Sequence, residues 1–259
     1  MRVTRSLVVL GLLAGGLWVP PGLRAEEEQT PTLVVVQAGI EVDAGGRVVG
    51  VELDPTARLP DVLRERTEQA VQTWQFKPIV ENGEPVGGKT WADVRICLAP
   101  STEGHLNVAI SKGMNGPGSV SGQWRPTLPI NLMRTATAGV EYEFLIRYRV
   151  QPDGRAELLD ASLLDPELDR RYAPGWQRDL RREIARIRFN PEVIGDRPVS
   201  TVMELPMMMV RRPAGVTSAQ ARNAIRETQA AAPVCQAAAG KGKNEAVAVD
   251  SRFELLPQG

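Results

Sequence analysis

From residue 32 the apolar and polar positions alternate in a way that predicts strands first. Leu33, Val34, Val35 and Val36 are followed by Ile40 and Val42 with polar partners. Ala44-Gly45-Gly46 then makes a turn, and Val48, Val49, Val51 and Leu53 bring the chain back. Alternation of period two with a glycine turn predicts a hairpin with one buried face. At Asp61 the period changes: Leu63, Thr67, Val71 and Trp74 form one stripe of a helix over 61–74, with Asp61 as its cap, laid over the sheet. Strand material resumes over 76–80 and 90–98, where Trp91, Val94, Ile96 and Leu98 alternate imperfectly. Residues 100–140 lose the pattern. They are rich in Gly, Ser, Pro and Thr and longer than the loops inside compact domains, so a linker is predicted there, with 106–110 and 128–133 as short stray strands.

At Glu141 the pattern restarts. Tyr142, Phe144, Ile146, Tyr148 and Val150 alternate strictly, Pro152-Asp153-Gly154 turns the chain, and 156–163 return it. A helix over 174–187 carries Trp176, Leu180, Ile184 and Ile187 on one stripe at the offsets of the first helix. Strands over 189–193 and 201–209 complete the unit, and Pro206 marks the last as an edge or a strand end. The two stretches are copies of one pattern: VQTWQFKPIVENGEPV (71–86) returns as IARIRFNPEVIGDRPV (184–199). The predicted class is α+β, two small antiparallel sheets each backed by a helix, in domains 32–99 and 141–210. Residues 211–259 form a tail, helical over 218–232 with Thr217 or Ser218 as cap and flexible beyond, to which no function is assigned.

The first 25 residues follow another grammar. Arg2 and Arg5 precede an apolar run over 7–19 and a breaker region ending at Ala25, the order of a cleavable signal peptide. An uncleaved anchor is the second reading, and 26–31 make an acidic leader. The chain carries 31 basic and 31 acidic residues. Losing Arg2, Arg5 and Arg24 with the signal leaves it net acidic, which argues against a nucleic-acid binder. In an oxidising compartment Cys97 and Cys235 either pair or stand as one buried and one exposed thiol; both readings stay open.

The turns Gly46-Arg47-Val48 and Asp153-Gly154-Arg155, followed by Trp74-Gln-Phe76-Lys-Pro78 and Ile187-Arg-Phe189-Asn-Pro191, resemble the carboxy-terminal domain of the TonB family, over 32–99 and 141–210. The resemblance implies a small antiparallel sheet backed by helix and a periplasmic role. In TonB itself this domain takes up a short peptide of an outer-membrane receptor as an added strand, and an open sheet edge supplies the unpaired N–H and C=O groups for that. On this resemblance the binding edges are Trp91, Val94 and Ile96 in one copy and Val202, Met203 and Leu205 in the other. The implied partners are outer-membrane TonB-dependent receptors or inner-membrane motor proteins. In a scaffolding alternative the edges pair within the chain or with a second copy. The chain lacks the long Pro-, Lys- and Glu-rich spacer of the energy transducer, so a soluble accessory fits better than a transducer.

Catalytic chemistry is hard to assemble from these residues. His105 has only Glu103 nearby, and no glycine-rich phosphate loop, nucleophile elbow or HExxH pattern occurs, so neither enzyme nor cofactor is expected. Arg170, Arg171, Arg178, Arg181, Arg182, Arg186 and Arg188 either form a basic face or are neutralised by Asp165, Glu167, Asp169, Asp179 and Glu183, the second being favoured. Trp74 and Trp176 are expected in the cores, and 207–209, all methionine, as a strand end with one buried face.

Overall fold

The computed structural model describes residues 30–101, 105–120, 124, 126–210, 215–238 and 249–257. The expected signal peptide, most of the acidic leader, Glu103 and tail residues 239–248 lie outside the described residues. The chain is mixed α+β, and the strand pairings among described residues are antiparallel.

The first unit opens with the expected hairpin of β1 (Thr32–Val42) and β2 (Val48–Leu53). Helix α1 (Asp61–Gln72) follows, with Thr67 and Val71 buried. Pro60 rather than Asp61 holds the cap position. Asp61 therefore sits in the first turn, where its charge suits the positive end of the helix. A tight hairpin, β3 (Ile79–Glu81) and β4 (Glu84–Val86), turns through Asn82 and Gly83 at φ 53° and 88°, a geometry asparagine and glycine tolerate. Next come β5 (Gly88–Pro100), β6 (Leu106–Gly116) and β7 (Gly118–Ser119). Helix α2 (Ile130–Thr135) leads to the second hairpin, β8 (Glu141–Val150) and β9 (Ala156–Leu163). Helix α3 (Pro166–Ile184) precedes β10 (Phe189–Asn190), β11 (Val193–Ile194), β12 (Arg197–Pro198) and β13 (Thr201–Val210). In the tail, α4 (Ser218–Ala230) starts at the capping box of Thr217 and Gln220, and α5 (Pro233–Ala238) follows.

Both units are closed by the same internal joint. Gly46 and Gly154 sit at φ 83° and 76° beneath the Phe-x-Pro steps, so close that a Cβ would lie 2.0 Å from the Phe76 carbonyl oxygen and 2.4 Å from that of Phe189. Phe76 N–H donates to the Gly46 carbonyl at 2.7 Å, and Phe189 N–H to that of Gly154 at 2.9 Å. The two motifs read as repeating in sequence are therefore one contact, made twice. Each joint anchors a separate core. Val71, Trp74 and Phe76 join Ile40, Val94 and Ile96 in one, and Trp176, Leu180 and Ile184 join Phe144, Ile146 and Tyr148 in the other.

Four further expectations are corrected. Residues 100–140 are not a plain linker, since they supply β6, which lies against β5 from Trp91 to Pro100. The piece 128–133 runs into helix α2 rather than a strand. Helix α3 begins at Pro166, well before 174, because the Asp165 carboxylate accepts from the N–H groups of Glu167 and Leu168 at 2.9 and 3.0 Å while Pro166 loses nothing at the first position. Pro174 is carried inside it. The end of the tail is ordered against the first unit: Phe253 is buried in its core edge-on to Phe76, and Lys77 N–H donates to the Glu254 carbonyl at 2.8 Å.

The repeats also interlock. β11, from the second copy, pairs with β5 at Gly88 and Lys89, and Ile194 is buried in the first unit's core. Glu81 of the β3–β4 hairpin holds Arg197 and Arg252 at 2.9 and 3.0 Å.

Candidate functional site

The two strands nominated as binding edges have different surroundings. Strand β5 lies inside its sheet, with β1 along one side and β6 and β11 along the other. Val94 and Ile96 are fully buried, and Trp91 is half-buried. The expectation that Trp91, Val94 and Ile96 form an open edge is therefore corrected: the chain's own Leu106–Gly116 has taken that place. Next to them Cys97 is bonded to Cys235, and with Val234 they make a small core that fixes α5.

Strand β13 is an edge. Its sheet runs β13-β8-β9, and no other described strand lies beyond it. Val202 and Leu205 are half-buried, and Met203 is buried beneath Gly116, where a Cβ would lie 2.6 Å from its Sδ. Pro206 stands opposite Leu145 in an unbroken register. In an antiparallel strand the N–H and C=O of one residue face the same side and alternate along the chain. A proline nitrogen fits such a ladder where it faces away from the partner strand. The same parity turns the N–H and C=O groups of Val202, Glu204 and Met208 outward. Leu205, Met207 and Met209 lie half-covered on the core face, while Met208 is exposed on the other.

Beside β13 a cavity of about 170 Å³ opens between the two units. Four aromatic side chains line it: Trp91 from β5, Trp124, Tyr148 from β8 and Phe189 from β10. Trp124 stands edge-on to Tyr148 at 5.4 Å, held by its indole N–H donating to Glu183 at 2.7 Å, and Tyr148 tilts against Phe189 at 5.6 Å. Met203 and Leu205 form the wall next to the strand edge. Gln37, Asp93, Asn115 and Ser119 are its polar members, and among the described residues Ser119 Oγ is buried without a hydrogen-bond partner. Burial pushes the Tyr148 phenol up, and the negative charge of Asp93 pushes it further in the same direction. The cavity thus collects Trp91, Met203 and Leu205 from both predicted edges, while Val94, Ile96 and Val202 do not reach it.

A second polar cluster escaped the sequence reading. Glu192 is 1% exposed. Its Oε1 accepts from Thr90 Oγ1 at 2.5 Å and Ser251 Oγ at 2.7 Å, and its Oε2 from Thr201 Oγ1 at 2.9 Å. Those hydroxyls come from β5, the tail and β13, so one carboxylate ties three segments. Burial raises its pKa above the usual glutamate value, against the pull of the three hydroxyls. The signal was present: Glu192 stands where the first copy has the buried Ile79, an acid at a core position.

The arginines of α3 are all exposed. Several of the acids read as their neutralising partners are used elsewhere. Asp165 caps the helix, Asp169 accepts from Leu163 N–H at 2.8 Å, and Glu183 accepts from Trp124 and Thr127, while Asp179 faces Arg182 at 3.9 Å. His105 is exposed. Among the described residues no three histidine, cysteine or carboxylate side chains gather as a metal site, and no described helix is long and apolar enough to cross a membrane. No family model matches the chain, and neither does a curated protein or a solved structure.

Proposed function

We propose that the protein is a periplasmic, TonB-like binding protein, not an enzyme, which takes up an extended segment of another envelope protein as a new strand along β13. The single observation that carries this reading is the open side of β13, where Pro206 sets the outward parity and no described strand lies beyond Val202, Glu204 and Met208 on the side away from β8. An added strand satisfies those groups and extends the half-covered apolar face of Leu205, Met207 and Met209. Methionine suits such a face, being unbranched and able to repack around differing side chains. Outer-membrane TonB-dependent receptors and inner-membrane motor proteins are the candidate sources of the segment, with the protein as an accessory to such transport.

A scaffolding role has an observation of its own in the first unit, where the side of β5 is filled from within the chain by β6 and β11. The two readings part at β13. A photo-cross-linking residue at Met208 in cells should capture an extended segment of another envelope protein, while one at the exposed Val49 of β2 should not. Capture of a second copy alone at Met208 would transfer the scaffolding role to β13 and end the binding reading.

A further inference from the structure

We propose that the cavity beside β13 is a pocket for one aromatic ring, which receives the phenylalanine side chain of an added strand at the position opposite Leu205. The inference rests on the strand-addition reading and deepens it, by giving that edge a specificity.

Position comes first. Residues directly opposite each other on neighbouring strands point to the same face, with Cβ atoms about 5 Å apart. Leu205 points to the core face and lines the cavity wall. The side chain opposite Leu205 on an added strand therefore enters the cavity beside it. Size agrees: about 170 Å³ is somewhat more than the roughly 150 Å³ that houses a benzene ring in a protein interior, so one ring fits and the fused pair of an indole does not.

The rings already present decide the kind of side chain. Trp124, Tyr148 and Phe189 form a chain of aromatic contacts at 5.4 and 5.6 Å, and Trp91 faces the same space from β5. A further ring among them gains edge-on or offset contacts beyond its buried area, which an aliphatic side chain does not. Met203 adds a thioether, whose sulfur makes favourable contacts with ring edges. The polar members of the lining make few demands of an occupant. The Asn115 amide donates to the Phe253 carbonyl at 2.9 Å, Asp93 has a partner within the protein, and Ser119 Oγ is shut off from solvent. A neutral ring therefore enters without giving up a charge or a hydrogen bond of its own to water.

The test uses the full chain and four blocked heptapeptides of alternating threonine and valine, whose central residue is phenylalanine, leucine, alanine or tryptophan. Amide shifts of Val202, Glu204 and Met208 report addition to the edge, and titration gives affinity. Phenylalanine should bind about 10-fold tighter than alanine or more, and about 3-fold tighter than leucine or more. Tryptophan should fall below phenylalanine, because its second ring has no room. The methyl signals of Met203 and Leu205 should shift with the phenylalanine peptide, through the ring current, and much less with the leucine peptide. Trp124→Leu keeps apolar bulk but removes a ring of the wall, and should bring phenylalanine and leucine within about 2-fold while the β13 amides still move with both. Equal affinities for phenylalanine and leucine in the unaltered protein, or tryptophan binding as tightly as phenylalanine, would overturn the one-ring pocket and leave strand addition standing. Failure of all four peptides to move the β13 amides would overturn both.

Discussion

Strands β5 and β13 close their units after the same helix, the same Phe-x-Pro step and the same glycine joint, yet one ends inside a sheet and the other on its rim. The difference does not lie in the strands' own composition, for both carry alternating apolar residues. It lies in what the chain does next. After β5 the chain reverses and lays down β6 over nearly its whole length; after β13 it leaves for α4 and α5, and α5 is fixed back onto β5 by the disulfide. Edges are a property of the whole chain, and two copies of one local pattern can hold opposite roles. The first copy has become the anchor, receiving β6, β11, Phe253 and α5, and the second keeps its edge.

The comparison is most exposed to attack at the anchor. Phe253 is 1% exposed in the first core, so Phe253→Ala should cost about 3–5 kcal/mol in urea unfolding. A loss below about 1 kcal/mol would mean that the tail is not part of that core. A proline scan then separates the two strands. In β13, Met207→Pro removes a ladder bond and should cost about 3 kcal/mol, while Met208→Pro removes only an outward N–H and should cost less than about 1 kcal/mol. In β5 no such asymmetry is expected: Arg95→Pro and Ile96→Pro should both be severe, because both sides are paired. Equal costs at Met207 and Met208 would put a partner on the rim of β13.

The disulfide closes 138 residues of sequence separation, and replacing Cys97 and Cys235 together by serine should destabilise by about 2–5 kcal/mol. Protection should be lost first in α5 and β6, with the β8–β13 pair unmoved. The smallest effect concerns Glu192. Because burial raises its pKa, the folded protein retains a proton that the unfolded chain gives up. That contribution is complete below the usual glutamate value and is lost as pH rises through the raised one. Glu192→Gln removes the dependence, so the variant should gain on the parent protein as pH rises across that window, by less than the effects above. A difference that stays flat with pH would contradict the raised value.

Much of the local architecture was legible because it rests on local physics. The hairpins are legible in period two, both helices in their stripes, and the repeat in its glycine turns and Phe-x-Pro steps, although only the structure shows those two motifs meeting in one joint. The start of α3 is also written in the sequence, as Asp165-Pro166, a cap followed by a proline at the first position, but Pro174 offers a competing start signal eight residues later. What could not be read is long-range. β6 carries glycines at 113 and 116 and a polar run that resemble a linker, and becomes a strand only because β5 offers it a side; Gly113 lets it approach, since a Cβ there would lie 2.9 Å from the Asp93 carbonyl oxygen. The cavity is built from segments distant in sequence, so Trp91, Met203 and Leu205 read locally as edge residues when their shared property is a common wall. Two long-range features left a local trace: the pair Cys97 and Cys235, and Glu192, an acid at the position that Ile79 fills in the first copy.

The most direct measurement is residue-resolved hydrogen exchange on the uncomplexed protein, comparing β5 with β13. The outward amides of Val202, Glu204 and Met208 should exchange freely while Met203, Leu205 and Met207 are protected, and Arg95 and Ile96 in β5 should both be protected. Protection of Val202, Glu204 and Met208 to the level of β5 would mean that the rim of β13 is already paired, and the binding role assigned to it would be wrong.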